Sequence, residues 1–334
     1  MTITEDTRPA LGLPQIQSLA APDMAAVDAL IRRRLSSDVV LINQIADHII
    51  SAGGKRLRPM LVMLAGHAVG QAGPEHHQLA AIIEFIHTST LLHDDVVDES
   101  DLRRGKSTAR MIWGNQASVL VGDFLLGQAF RMMVEVGSLE ALDVLSAAAS
   151  VIAEGEVLQL SVAKNMETTE DDYLSVIRAK TAALFAAAAE VGPIIAGADK
   201  AGRNALKSYG MNLGLAFQLV DDALDYGGKA VDLGKNVGDD FREGKITLPV
   251  ILAYRRGTKE EREFWRDAIE QGQNDDARLE KALGLITKYG ALNDTIARAL
   301  HYGTIARDAL APLPETEWKS ALMDVIDFCI ARVN

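Results

Sequence analysis

The sequence predicts an all-α protein built as a single helical bundle, and three observations carry that reading. Apolar residues recur at three- and four-residue spacing along most of the chain, and no stretch alternates with the two-residue period of a strand. Alanine and leucine runs dominate, while aromatics make up only 5% and prolines number 9 in 334 residues. A hydrophobic content of 48% supplies enough material for a substantial core.

Residues 1–20 carry scattered prolines without periodicity and read as a loose N-terminal arm, with order expected from near Pro22. Helical periodicity then marks segments near 23–35, 38–52, 58–71, 77–98, 115–134, 138–162, 170–196 and 201–226. The stretch 227–245 is irregular, glycine-rich and charged. Shorter helical patterns return near 246–256, 260–270, 276–288, 291–311 and 315–331. The breaks are short and no polar linker interrupts them, so residues 21–334 are expected to form one domain.

A formal net charge of −12 argues against nucleic-acid binding, which needs a basic face. The single cysteine, Cys329, excludes an internal disulfide framework and fits a reducing cytoplasm. No signal-peptide pattern opens the chain. The most apolar stretch, 182–198, is interrupted by Glu190 and Pro193, so no membrane span is expected.

One internal echo stands out. An apolar helical run ends in Asp94, Asp95 and Asp98, and another ends in Asp221, Asp222 and Asp225. Residues four apart stack on one helix face, so each triplet forms a comb of carboxylates. Both combs fall near helix C-termini, where negative charge is disfavoured by the macrodipole and by mutual repulsion. A single such comb reads equally as a solvated acidic helix end. Two combs with apolar flanks point to a shared cavity that holds divalent cation, and oxygen ligands without paired His or Cys select magnesium over zinc.

An acidic chain that binds an anionic ligand must place its positive charges one by one. Gly53-Gly54-Lys55-Arg56-Leu57-Arg58-Pro59 puts Lys55 and Arg58 at a helix N-terminus, although alone it reads as a charged turn. Arg103 and Arg104 follow the first comb and suit bidentate phosphate contact, against the plainer reading of an ion pair with Glu99 or Asp101. Lys180 sits within an alanine-rich helix, and Lys235 and Lys245 lie in the irregular segment; each alone reads as a surface lysine. Gln218 shares the face of the second comb. His87, seven residues before Asp94, shares the stripe of the first, whereas His67, His76, His77 and His93 read as structural.

These blocks, GGKRLRP at 53, HTSTLLHDDVVDESDLRRG at 87, GNQASVLVGD at 114, GEVLQL at 155, AKTAALF at 179, FQLVDDALDY at 217 and GKNVGDDFREGKITLP at 234, resemble the trans-type prenyl diphosphate synthases. The likeness runs from about residue 30 to the C-terminus and is strongest to the bacterial long-chain branch making octaprenyl, solanesyl or decaprenyl diphosphate. It implies an isoprenoid-synthase bundle with a central cavity and Mg2+-dependent condensation of isopentenyl diphosphate onto an allylic diphosphate primer, supplying quinone side chains. By the same resemblance Lys55, Arg58, His87 and Arg104 bind isopentenyl diphosphate. Arg103, Lys180, Thr181, Gln218, Lys235 and Lys245 address the allylic diphosphate, and Lys180, Thr181 and Gln218 also present dipoles to the reacting cation. Asp94, Asp98 and Asp221 are the principal magnesium ligands, supported by Asp95, Asp222 and Asp225. Periodicity selects Thr90, one turn before Asp94 on the same face, and the resemblance adds Ser89, offset around the helix; both are small and are expected to leave room for a long chain. The resemblance further implies a homodimer and leaves room for transient membrane contact during product release. Two rivals share parts of the pattern. A class I terpene cyclase shares the first comb but carries Ser or Thr and then Glu where this chain has Asp225 and Lys229, and a non-catalytic partner subunit is expected to lack a comb or the basic contacts.

Overall fold

The computed structural model describes residues 12–51, 53–227 and 237–333. Its first helix, α1 (Leu13–Leu35), starts well before Pro22, so residues 13–20, expected in a loose arm, are its opening turns. Pro14 lies in the first turn, where its missing N–H is not needed, and the amides of Gln15 and Ile16 bond back to the Gly12 carbonyl. Ile16 and Ala20 are fully buried, which holds the turn in place and carries the helix through the interior Pro22.

Then follow α2 (Val40–Ser51), α3 (Leu57–Val69) and α4 (Pro74–Val97). Sequence periodicity gave no sign of the two-residue strands β1 (Leu102–Arg103) and β2 (Lys106–Ser107), which pair antiparallel around Arg104-Gly105. Both turn residues have positive φ, 53° and 74°, as a twisted two-residue hairpin requires. After α5 (Ala109–Trp113) come α6 (Asn115–Val136), α7 (Leu139–Val162), α8 (Glu170–Ile177), a π-helical turn at Arg178–Ala182, α9 (Ala183–Ile195) and α10 (Lys200–Gly227). Helices Asp239–Arg242, Leu248–Arg256, Lys259–Ile269, Asp276–Lys288, Ala291–Ala309 and Glu317–Ile330 complete the bundle. The first of these lies inside the stretch expected to be irregular.

Two apolar clusters form the interior. One unites α1, α3, α4, α6 and α9, and the other joins the second half of α10 to the helices of residues 248–288. α10 contributes Tyr209 and Leu213 to the first and Leu219 and Val220 to the second. α4 packs along α6 and buries Leu79, Ile82, Ile83, Phe85 and Ile86 almost completely. Each such side chain contributes roughly 1.5–3 kcal/mol, against a few tenths to about 1 kcal/mol for each carboxylate placed unfavourably at the helix end. Core burial therefore fixes α4 whatever its last turn carries.

Among the described residues α6, rather than residues 182–198, is the helix long and apolar enough to cross a membrane by length and composition. One of its faces is a core face, with Val121, Leu125, Ala129, Met132 and Met133 buried, while Leu120, Phe130 and Val134 remain exposed.

Candidate active site

The C-terminal ends of α4 and α10 meet at a cavity of about 690 Å³. Asp94 and Asp98 line it from one helix and Asp221, Asp222 and Asp225 from the other, with Arg103, Lys180, Thr181, Gln218 and Lys245 between them. The sixth aspartate differs. The Asp95 side chain is only 2% exposed, is turned away from this lining, and accepts from Arg103 Nε at 2.9 Å and Nη2 at 2.7 Å. Its position on the helix, one residue on from Asp94, rotates it onto the hairpin that carries Arg103.

Lysines neutralise the first comb. Lys180 Nζ stands 2.8 Å from Glu156 Oε2 and 3.6 Å from Asp94 Oδ2. Lys245 Nζ stands 3.0 Å from Asp98 Oδ2 and 2.6 Å from Glu243 Oε2. Burial raises the Asp94 carboxyl above the ordinary range, Lys180 pulling it down and Asp98 pushing it up. Burial lowers Lys245, but Asp98, Asp240 and Glu243 outweigh it and hold the ammonium well above its usual value.

At the second comb Gln218 is locked between neighbours. Its carbonyl accepts from Thr181 Oγ1 at 2.9 Å and its amide donates to Asp222 Oδ1 at 2.7 Å, while Tyr173 OH donates to Asp222 Oδ2 at 2.5 Å. Burial pushes Asp222 up to about 8, with Asp240 adding to it against those two hydrogen bonds. Asp225 Oδ2 accepts from the Asp240 amide at 3.2 Å, and Arg332 reaches Asp221 at 3.4 Å.

Lys180 and Thr181 owe their position to the π turn, which widens the helix by one residue at this wall of the cavity. α7 fits against it at Gly155, where a Cβ would lie 2.7 Å from Ala179 Cβ and 3.0 Å from the Lys180 amide. Only a residue without a side chain permits that approach.

A second basic group gathers beside α3. Arg58 Nη1 lies 3.2 Å from His87 Nε2, and its guanidinium lies 4.5 Å from the Phe185 ring centroid. Burial lowers His87 well below its ordinary value, and Arg58, Arg104 and Arg103 add to the effect, so its Nε2 accepts the arginine proton as a neutral imidazole. Burial brings Arg58 down to about 10 despite Glu84. Lys55 lies 4.7 Å from the Phe328 ring centroid and is lowered by burial and by Arg332. Arg104 packs onto Gly54, where a Cβ would stand 2.8 Å from its Nη1. The hairpin thus sends Arg103 to the first comb and Arg104 to the Gly53-Gly54 turn.

Ser89 and Thr90 do not line the 690 Å³ cavity; Leu91 does. Ser89 Oγ donates to the Gly122 carbonyl at 2.8 Å and Thr90 Oγ1 to the His87 carbonyl at 2.8 Å. Lys235 lies outside the described residues. Glu156, Tyr173, Asp240, Glu243 and Arg332 are site residues that sequence reasoning missed. Glu156, Asp240 and Glu243 lie inside the motif blocks with no role of their own, while Tyr173 and Arg332 carried no local signal because only tertiary folding brings them to α10. Among the histidines read as structural, His76 bonds the Gly192 carbonyl at 3.0 Å, His67 and His77 share Asp23 at 2.9 and 2.8 Å, and His93 bonds the Val119 carbonyl at 3.2 Å.

The polyprenyl synthetase family model matches residues 39–286. The chain belongs to this family. Within the family it is 51% identical to an octaprenyl diphosphate synthase of Escherichia coli over 322 residues, covering 96% of this chain and 99% of that protein. A decaprenyl diphosphate synthase structure from Rhodobacter capsulatus superposes with a TM-score of 0.92 at 52% identity, over 96% of this chain and 99% of that one. A polyprenyl synthase from Caulobacter crescentus, complexed with calcium and isoprenyl diphosphate, gives 0.94 at 50% identity over 98% and 100%. The helical fold is that of polyprenyl synthases.

The donor set fits a hard divalent cation. It is all carboxylate, two of its members are raised by burial, and lysine ammonium groups stand on the first comb as cationic partners. Among the described residues no three acidic or histidine side chains gather closely enough to cage a metal unaided, so each comb has room for oxygens from a substrate.

Proposed function

We infer that this protein is a long-chain trans-polyprenyl diphosphate synthase, a cytoplasmic prenyltransferase adding isopentenyl diphosphate to an allylic diphosphate up to octaprenyl to decaprenyl length. The observation carrying this reading is the cavity walled by the two aspartate combs, with Lys180, Lys245 and Arg103 beside them and His87, on the helix of the first comb, paired with Arg58 of α3.

Asp94, Asp98 and Asp221, with Asp222 and Asp225 in support, would hold magnesium, which would supply electrophilic stabilisation of the leaving diphosphate. Asp95 acts through Arg103, whose guanidinium it orients toward the allylic diphosphate. Lys180 and Lys245 exchange their carboxylate partners for phosphate oxygens, and Lys235 adds positive charge around the same group. The allylic C–O bond then breaks heterolytically and its electron pair leaves with the diphosphate. The Thr181 hydroxyl, the Lys180 carbonyl and the Gln218 amide present dipoles to the allylic cation. Lys55, Arg58, His87 and Arg104 hold isopentenyl diphosphate so that its alkene electrons form the new C–C bond at the terminal carbon, leaving a tertiary cation at the other alkene carbon; the methylene next to that cation loses a proton to the released diphosphate, and its C–H electron pair becomes the new double bond. No side chain forms a covalent bond to substrate. The terpene cyclase and non-catalytic readings are not favoured.

Leu120, Phe130 and Val134, exposed on α6, are suited to burial against α6 of a second copy, making the enzyme a homodimer. The test of function is incubation of purified protein with magnesium, isopentenyl diphosphate and a short allylic primer, with dephosphorylated products sized by chromatography. Chains of octaprenyl to decaprenyl size are expected; a product ending at farnesyl or geranylgeranyl overturns the long-chain reading.

A further inference from the structure

A second pocket, of about 270 Å³, opens where the connection from α7 to α8 meets the helices Leu248–Arg256 and Lys259–Ile269. Three arginines, Arg255, Arg262 and Arg266, wall it together with Tyr254 and Glu167. In a chain of net charge −12, this concentration of guanidinium on one small cavity is unusual. Arg262 and Arg266 are four apart and share a helix face, with their guanidiniums 5.8 and 5.6 Å from the centroid of the same Tyr254 ring. Like charges so placed repel unless an anion lies between them.

One carboxylate lines the pocket, and Asp172 and Glu270 act on Arg255 and Arg266 from beyond it. Glu167 accepts from Arg266 Nη2 at 2.9 Å and from Tyr254 OH at 2.8 Å, with a side chain 70% exposed. Arg262 donates Nε and Nη2 to the carbonyls of Tyr254 and Arg255 at 3.1 and 2.6 Å, which caps that helix end and fixes the guanidinium without neutralising it. Arg255 makes no salt bridge or side-chain hydrogen bond among the described residues. Nearby arginines behave otherwise: Arg256 has Asp294 at 2.5 Å and Arg298 has Glu170.

We propose that this arginine pocket is a binding site for a small phosphoryl anion of the diphosphate class, separate from the two diphosphate positions of the large cavity. Planar guanidinium forks suit bidentate phosphate oxygens, and an anion of higher charge competes with the exposed Glu167 for Arg266. Occupancy also reaches the large cavity. The α7–α8 connection turns Met166 and Glu167 to the arginine pocket, while Val162, Ala163, Lys164 and Thr168 line the other side. An anion that releases Glu167 therefore acts on the wall of the neighbouring site.

Equilibrium dialysis of radiolabelled inorganic diphosphate against the full chain, with chelator present, tests this. Arg255→Ala/Arg266→Ala is expected to weaken a saturable component by roughly tenfold or more. Glu167→Gln is expected to tighten the same component, a gain that a folding defect does not produce. Isotherms of wild type, double variant and Glu167→Gln that superimpose overturn the proposal. Cosedimentation with phosphatidylglycerol vesicles separates the sources of the phosphoryl group. Sedimentation lost in the double variant assigns it to a lipid headgroup, and diphosphate binding without sedimentation assigns it to the free anion.

Discussion

Asp94 and Asp221 illustrate how a residue can be costly to its helix and still be kept. Both add negative charge at a C-terminal end that already carries it, so their removal relieves repulsion and leaves the fold in place. Asp94→Ala and Asp221→Ala are each expected to lower kcat by orders of magnitude while the far-UV circular dichroism stays unchanged, and chelator is expected to abolish turnover. Near-normal kcat in either variant refutes a mechanism that needs both combs. His87 makes a different prediction. Its folded-state pKa is driven well below 6.5 by burial and by the arginines around it. Below pH 6.5 the unfolded chain binds this proton and the native state does not, so stability falls with pH through that window. Denaturant midpoints at pH 7.5 and pH 5 should therefore differ less in His87→Gln than in wild type, and equal differences contradict a neutral buried His87.

Helices were the part of the molecule most readable in advance, because each buries one stripe and leaves its period in the sequence. The patterns near 276–288 and 138–162 fall within a residue of the helices found. Features held by single backbone events were not readable. The α1 start was hidden by its prolines, the Arg104 hairpin by its two-residue length, and the π turn by lying within a continuous apolar run, expected as one helix over 170–196. The combs were legible because they are local in sequence; Tyr173 and Arg332 were not, and Lys180 and Lys245 were named without their pairing to Asp94 and Asp98, because those contacts span dozens of residues. The π turn yields a test at its own scale. Gly→Ala in an exposed helix stabilises by about 1 kcal/mol. Gly155→Ala must instead push the turn that carries Lys180, and is expected to cost about 1–3 kcal/mol in chemical unfolding and to depress kcat. A variant as stable and active as wild type shows that the close approach has no role.

Product length and assembly are properties of the molecule as a whole. Ser89 lies buried against the Gly122 carbonyl at the α4–α6 contact, so Ser89→Phe or Thr90→Phe inserts an aromatic ring beside the helix along which a growing chain would run. Both are expected to shorten the product sharply while sparing the first condensation, read by chromatography of dephosphorylated products; full-length chains from both refute this control of length. On the opposite face of α6, Leu120→Glu/Val134→Glu is expected to shift the species seen by light scattering from about twice 36.0 kDa to the single-chain mass. An unchanged mass places the subunit contact elsewhere.

α4 carries His87, Ser89, Thr90 and Asp94 on one uninterrupted stretch of 24 residues and ends on Asp98 as its C-cap. Along it, His87 and Asp94 stand about 10 Å apart by helical rise alone. That separation works as a ruler whose graduations are peptide units. Inserting or deleting one residue between them would turn everything downstream by about 100° and carry the carboxylates off the cavity. A single-residue insertion or deletion here is therefore expected to disable the site, whereas the loops between helices can take up a change in length.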